Sequence, residues 1–312
     1  MNKYHFTTIV SKDHLYKFIV MYTSLRAHCS SFIIYVLCAN QIVYKILNDI
    51  GFENTVLVNL KDIEDGPLLE AKKDRIFHAY CWTLKPVFLH YVMVNYPNSQ
   101  YFCHLDADLF FFESPDLIFN ENAEASVFLT HHRNSKGFLQ FYNLTGIYNT
   151  GFVGCRNDAI ALECVKQWKD KCIEYCPIKE DPIKRAFGDQ RYVEEWPEMF
   201  EGVHVVNTLG ANTALWNITN YKVKKEKDKV YVNDDVLIFY HFSGLAMANK
   251  NVFNICWYYH IDDENTISLI YLPYLYSIRN CIDEVKKYFP DFSDGFVKKE
   301  FMPNTHFYIF ES

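Results

Sequence analysis

Tyr101-Phe-Cys-His-Leu-Asp-Ala-Asp-Leu-Phe-Phe-Phe112 carries two carboxylates, Asp106 and Asp108, at the end of an apolar run. An apolar run of about six residues reads as a buried strand, and its polar end opens at a sheet edge, where ligands bind in open α/β folds. Two hard oxygen ligands at this spacing can hold a divalent cation against a diphosphate and partly neutralise the charge that appears when the phosphate leaves. The pair therefore points to a metal-dependent enzyme acting on a nucleotide-linked substrate. By spacing alone a turn or a helix cap is the commoner reading, since that is the ordinary use of an exposed Asp pair after a strand.

Working outward from this strand, elements alternate on its N-terminal side. Residues 5–10 read as a first strand, Asp13 as the cap of a helix from 14 to about 27, and 32–38 as a second strand. A helix over 41–50 ended near Gly51 and a strand over 54–60 follow. A helix from about 82 to 94, with Pro86 in its first turn, leads into the Asp106 strand. Alternation of this kind predicts βαβ units and a mostly parallel sheet. On the C-terminal side the pattern is less regular. Residues 126–130, 150–154, 203–207 and 236–242 read as strands, 158–176 as a helix, and 188–195 as a short helix stopped by Pro197, before an aromatic-rich tail. No repeat, low-complexity tract or Gly/Ser linker marks a boundary, and the change of pattern suggests one near residue 200.

A chain of 312 residues, half of them hydrophobic and 17% aromatic, buries a large core as one extended α/β domain or two closely fused ones. A formal charge of -7 gives no general attraction to phosphate polymers, so no nucleic-acid partner is expected and any phosphate site must be local. No run of 18 apolar residues occurs and the first strand begins almost at Met1, from which neither a signal peptide nor a spanning helix is expected. The expected location is cytoplasmic. The ten cysteines show no Cys-x-x-Cys spacing and several lie in apolar runs, as buried free thiols in a reducing compartment would. Cys172 and Cys176 share a helix face by spacing, but zinc would need two further ligands. The Asn-x-Thr patterns at Asn143 and Asn217 read as accidental.

Four further segments follow the Asp pair: Asn149-Thr-Gly-Phe-Val-Gly154, Phe187-Gly-Asp-Gln-Arg-Tyr192, Leu209-Gly-Ala-Asn-Thr-Ala-Leu-Trp-Asn217 and Tyr240-His-Phe-Ser-Gly244. In this order, over roughly residues 4–245, the series resembles the GT-A glycosyltransferases, and within them the family 8-like retaining enzymes that use nucleotide-diphosphate sugars. The resemblance implies a Rossmann-like α/β fold, its mostly parallel sheet flanked by helices. It places a catalytic domain at 1–245, with a donor-binding half to about 120 and an acceptor-side half beyond it, and a helical, aromatic extension at 246–312 packed on that domain.

Carried over by position, the resemblance makes Asp106, Asp108 and His241 ligands of Mn2+ or Mg2+. Thr7, Thr8 and Val10, at the end of the first strand, would border the nucleobase and ribose, although Thr is also an ordinary strand former. Ala107, Asn149, Gly210, Ala211, Asn212 and Gly244 would line the donor, with Trp216 as a sugar-stacking face or a core residue. Gly244 lacks a side chain and would let backbone approach a phosphate. Lys85 would aim at the diphosphate or else be solvated. Asp189 and Gln190 take the catalytic positions: Gln190 would steady an oxocarbenium-like centre through its amide oxygen, while Asp189 would accept sugar hydroxyl hydrogen bonds. Locally, Gly188-Asp-Gln also reads as a helix start, with Asp189 answering the helix dipole, and Asn149 as the start of a turn.

Some residues fit the resemblance loosely. Lys250 is a distant counterpart of the family's lysine after the His-x-x-Gly turn, and His131 and His132 have no counterpart and read as surface or acceptor-cleft residues. The basic run 222–229 reads as a solvated hairpin or a rest for anionic lipid headgroups. Tyr271, Tyr274, Phe301 and Phe307 would close the core, or line an acceptor groove or an interface. The expected activity is metal-dependent transfer of a sugar from a nucleotide-diphosphate donor, UDP-sugar first, to a hydroxyl of a surface glycan or glycolipid, with retention and with peripheral contact at the inner membrane face. An inverting GT-A enzyme would need a carboxylate base such as Asp181, Asp189 or Glu194. A nucleotidyltransferase would need a Gly-rich basic loop after strand one, of which Ser11-Lys-Asp-His14 is a poor version. A noncatalytic sugar-nucleotide-binding module would bind the donor without releasing nucleoside diphosphate.

Overall fold

In a computed structural model, which describes residues 2–311, the chain forms two compact units from interleaved segments. The first takes the segment through Val10, Ser30–Asp106 and Pro115–Asn207, and the second takes Ser11–Cys29, Ala107–Ser114 and the segment from Thr208 onward.

The first unit is built on a seven-stranded sheet in the order Thr55–Asn59, Phe32–Cys38, Asn2–Val10, Ser99–Leu105, Tyr148–Arg156, Val127–His131, Val203–Val205. Every neighbouring pair is parallel except the two made by Tyr148–Arg156, which runs against both its neighbours. The expected mostly parallel sheet is therefore present. Strand Phe32–Cys38 is buried along almost its whole length, as a strand covered on both faces must be. Sheet order reverses between strands Asn2–Val10 and Ser99–Leu105, so Val10 and the residue after Leu105 sit at a switch point, where open α/β sheets bind ligands.

Two helices that pack on each other in this unit differ in how legible they were. Helix Ala159–Glu174 starts where expected, with Asp158 accepting a hydrogen bond from the Ala161 N–H. Helix Phe77–Asn95 begins earlier than expected, so Pro86 lies in its interior rather than its first turn. Burial of Ala79, Tyr80, Thr83 and Leu84 outweighs the hydrogen bond that the proline forgoes. Helix Gly66–Lys73 had not been anticipated, although Asp65 caps it and Pro67 opens it. Gly154 lies where strand and helix crowd. A Cβ there would fall 2.9 Å from a Phe119 ring carbon and 3.2 Å from the Phe128 Cβ. Gly154→Ala is expected to lower unfolding free energy by about 1–3 kcal/mol, read from the urea midpoint at unchanged m-value.

The second unit joins Leu109–Phe111, Phe239–His241 and Thr213–Ala214 in one small sheet. The expected strand over 236–242 is in fact two: Asp235–Val236 pairs with the Lys229–Val232 strand and Phe239–His241 with its own neighbours. Asp13 does not cap helix Leu15–His28; it lies in the 3-10 turn Lys12–His14, and the helix follows directly without a side-chain cap. The basic run is an antiparallel hairpin turning at Lys227, whose φ is +54°. Tyr271 and Tyr274 close the core, whereas Phe301 is 70% exposed. All ten cysteines are free thiols, Cys81 alone being only partly buried. No helix among the described residues is long and apolar enough to cross a membrane.

Candidate active site

Asp106 follows the last residue of strand Ser99–Leu105, and its N–H donates to the Gly151 carbonyl at 2.8 Å. Residues two apart on extended chain share a face, which brings His104 Nε2 to 3.1 Å from Asp106 Oδ1. The other ring nitrogen, Nδ1, is 3.5 Å from the Thr7 hydroxyl. Burial pushes the His104 imidazole below its ordinary value despite the pull of Asp106. Lys85 is not solvated: it is 8% exposed, and its Nζ lies 2.8 Å and 3.0 Å from the two Asp106 oxygens.

Asp189 is 1% exposed and stands at the start of the 3-10 turn Gln190–Val193, to which the expected helix over 188–195 shortens, and its side chain makes no cap hydrogen bond there. Its carboxylate accepts a 2.6 Å hydrogen bond from Thr150 and lies 3.7 Å from Lys85, while its carbonyl accepts from Trp168 Nε1 at 2.8 Å. Burial pushes the Asp189 pKa above the ordinary carboxylate value, and Lys85 and Thr150 only partly offset it. Beside it, Asn149 donates to Gln190 Oε1 at 3.0 Å and to His132 Nε2 at 3.2 Å. His132 is 4% exposed, which removes the surface half of the expectation that it is a surface or acceptor-cleft residue. Thr8 and Val10 are fully buried at the end of their strand.

In the second unit, Asp108 Oδ1 lies 3.1 Å from His241 Nε2 and Oδ2 lies 3.8 Å from Lys17 Nζ. The strand register that sets His241 beside Leu109 produces this pairing, and Phe242 N–H donates to the Asp108 carbonyl at 2.9 Å. Burial opposes the charge on Asp108, but His241, Lys17 and His14 outweigh it and hold the carboxyl well below the usual range. Trp216 meets the His241 ring edge-on at 5.2 Å. Gly244 has φ +73°, and a Cβ there would be 2.7 Å from Leu215. At Gly210 a Cβ would be 1.8 Å from the Val236 carbonyl oxygen, so close backbone packing already demands glycine. Ala211 and Asn212 are fully buried, Asn212 at φ +60°. Lys250 pairs with Asp283 at 2.8 Å.

Because Asp106 and Asp108 are two residues apart and His241 pairs with Asp108, the three offer ligand atoms all within 4.8 Å of one another. Two carboxylate oxygens and an imidazole nitrogen are donors that divalent metal ions accept. The donor set therefore fits a divalent ion. Sequence reading missed His104, Thr150, Lys17 and the role of His132. Only His104 had a signal, through strand alternation from Asp106.

These layers match those of the galactosyltransferase LgtC, solved with donor and acceptor sugar analogues, at a TM-score of 0.53 and 10% identity over 88% of this chain and 95% of that one. The chain adopts the GT-A fold. It belongs to the family of Bacillus subtilis YfnD, described as uncharacterised, to which it is 51% identical over 98% of this chain and 99% of that protein. A second B. subtilis protein, YfnF, also described as uncharacterised, is 29% identical over 95% and 98% of the two chains. No protein-family model matches.

Proposed function

We propose that this protein is a metal-dependent glycosyltransferase that moves a sugar from a nucleotide diphosphate, a UDP-sugar first, to a hydroxyl of a surface glycan or glycolipid with retention of configuration. The observation that carries the reading is the Asp106, Asp108 and His241 ligand set on a GT-A fold. Residues 1–245 would form the catalytic domain and 246–312 its extension. Asp106, Asp108 and His241 would hold Mn2+ or Mg2+, which when bound neutralises charge on the departing diphosphate.

Within this reading Lys85 offers its ammonium to the same phosphates, and Thr7, Thr8 and Val10 border the base and ribose. Ala107, Gly210, Ala211, Asn212 and Gly244 shape the donor cleft, where backbone approach matters more than side-chain reach. Asp189 accepts hydrogen bonds from sugar hydroxyls. The acceptor oxygen bonds to the anomeric carbon on the face from which the diphosphate departs, and its proton passes to a phosphate oxygen of the leaving group. Asn149 N–H occupies one lone pair of Gln190 Oε1, which leaves the second for the positive charge that develops at the anomeric carbon. An inverting reaction would need a carboxylate base instead, and Asp181 is tied by its Oδ1 to the N–H groups of Ile183 and Lys184.

The test is slow hydrolysis of UDP-, GDP- and dTDP-sugars with Mn2+, followed as nucleoside diphosphate. Release from one donor, lost on chelation, is the expected result and names the donor. Silence and absence of binding across the panel would overturn the assignment, and donor binding without release under any acceptor condition would favour a noncatalytic module.

A further inference from the structure

The geometry points to His132 as the positioning residue that sets Gln190 through Asn149, an inference that rests on the proposed transferase reading only for its consequence in catalysis. Three hydrogen bonds fix the Asn149 side chain. The backbone N–H of Gly151 donates to Asn149 Oδ1 at 2.9 Å. A backbone N–H is always a donor, so the atom it meets must be the oxygen, and the orientation of the Asn149 amide follows without ambiguity. The amide nitrogen therefore faces the other way, with two hydrogens to place. One reaches Gln190 Oε1 at 3.0 Å and the other His132 Nε2 at 3.2 Å.

Each assignment forces the next. Because Asn149 donates, Gln190 must present its oxygen to Asn149, and the Gln190 NH2 group is turned away from it. Because Asn149 donates on its other side as well, His132 Nε2 must be a lone pair, which places the ring hydrogen on Nδ1. Asn149 is 6% exposed and His132 4% exposed, so water has little access to replace either partner. Gly151 itself is held by the strand, since its carbonyl accepts from the Asp106 N–H at 2.8 Å. The relay thus runs from a rigid strand through an amide with no spare hydrogen to a glutamine that is only half-buried.

Taking away the His132 acceptor leaves a buried amide hydrogen without a partner, and the Asn149 side chain regains one only by swinging away from Gln190. Gln190 then loses the contact that aims its oxygen. His132 touches no reacting atom in this account. Its neighbour His131 takes no part, since that ring packs on Tyr148 at 5.0 Å.

The experiment compares full-length wild type, His132→Phe and His132→Gln by side-chain amide 1H–15N spectra and by donor turnover with Mn2+. In wild type both Asn149 amide hydrogens should show hydrogen-bonded shifts. In His132→Phe one should lose its shift and the Gln190 amide signals should move or broaden. His132→Gln, whose Oε1 can accept from Asn149, should restore them. For turnover, His132→Phe should lower kcat about tenfold or more at nearly unchanged KM for the donor, with recovery in His132→Gln. Unchanged Asn149 and Gln190 signals in a folded His132→Phe variant would overturn the relay. Signals that respond as expected in a protein that turns over no donor would uphold the relay and reject the transferase reading instead. Equal loss of kcat in both variants, with equal loss of thermal stability, would reduce His132 to a packing role.

Discussion

Asp108→Ala is expected to abolish metal-dependent donor turnover, by about 4 kcal/mol or roughly a thousandfold. The side chain does two things that no neighbour can take over. It is a ligand atom of the candidate metal set, and it pairs His241 at 3.1 Å, aiming that ring. A readout independent of activity comes from linkage. A metal that binds only the folded protein stabilises it by about 2.7 kcal/mol at a hundred times its Kd. Wild type should therefore melt at a higher temperature with added Mn2+, and Asp108→Ala should not respond. Asp283→Ala, which breaks the exposed Lys250 pair, should respond as wild type does. A full metal response in Asp108→Ala would remove Asp108 from the site. The folded Asp108 carboxyl is held below its ordinary value, so the stability it contributes is present above that value and is lost as pH falls through the depressed one.

The second large effect has the opposite sign on stability. Asp189→Asn should cost turnover on the order of 10²–10³-fold, the scale of losing one preorganised electrostatic contact, while making the metal-free protein less sensitive to alkali. Burial raises the Asp189 pKa above the ordinary carboxylate value. Its favourable contribution is then complete below the ordinary value and is lost as pH rises through the raised one. Wild-type stability should fall across that window, and the neutral amide should flatten the slope. Chemical denaturation of both proteins from pH 4 to pH 8 decides the matter: identical slopes would mean that Lys85 and Thr150 fully compensate the buried charge. The variant's amide oxygen can still accept from Thr150, which is why collapse of the fold is not expected.

Much of the sheet was legible because its strands are short apolar runs punctuated by turn residues, and strand Phe32–Cys38 and helix Gln41–Ile50 came out at their true ends. Gly51 stops that helix at φ +71°, a stop written locally. Errors arose where distant packing decides. Pro86 argued for a helix start and was overruled by the burial of Ala79 and Tyr80. Periodicity across 236–242 suggested one strand where hydrogen bonds to two different partners make two. At the site, Asp106 and Asp108 announced themselves by spacing, and His104 could have been read from alternation. Lys17 and His132 could not, since each is set beside its partner by strand register or helix docking that no local pattern encodes.

The interleaved chain path has a consequence for synthesis on the ribosome. Every segment of the first unit has been made once Asn207 is added, whereas the second unit still lacks most of its chain. The sheet can therefore form while translation continues, with Asp106 already bonded to Gly151. Of the partners of Asp108, Lys17 is made early, whereas His241 and the strand that carries it are made later. Domains fold as units during elongation, so the Lys85 and His104 contacts to Asp106 can form before the candidate ligand His241 has been made. On the proposed site, the full candidate ligand set cannot capture a metal until the strand Phe239–His241 has been added.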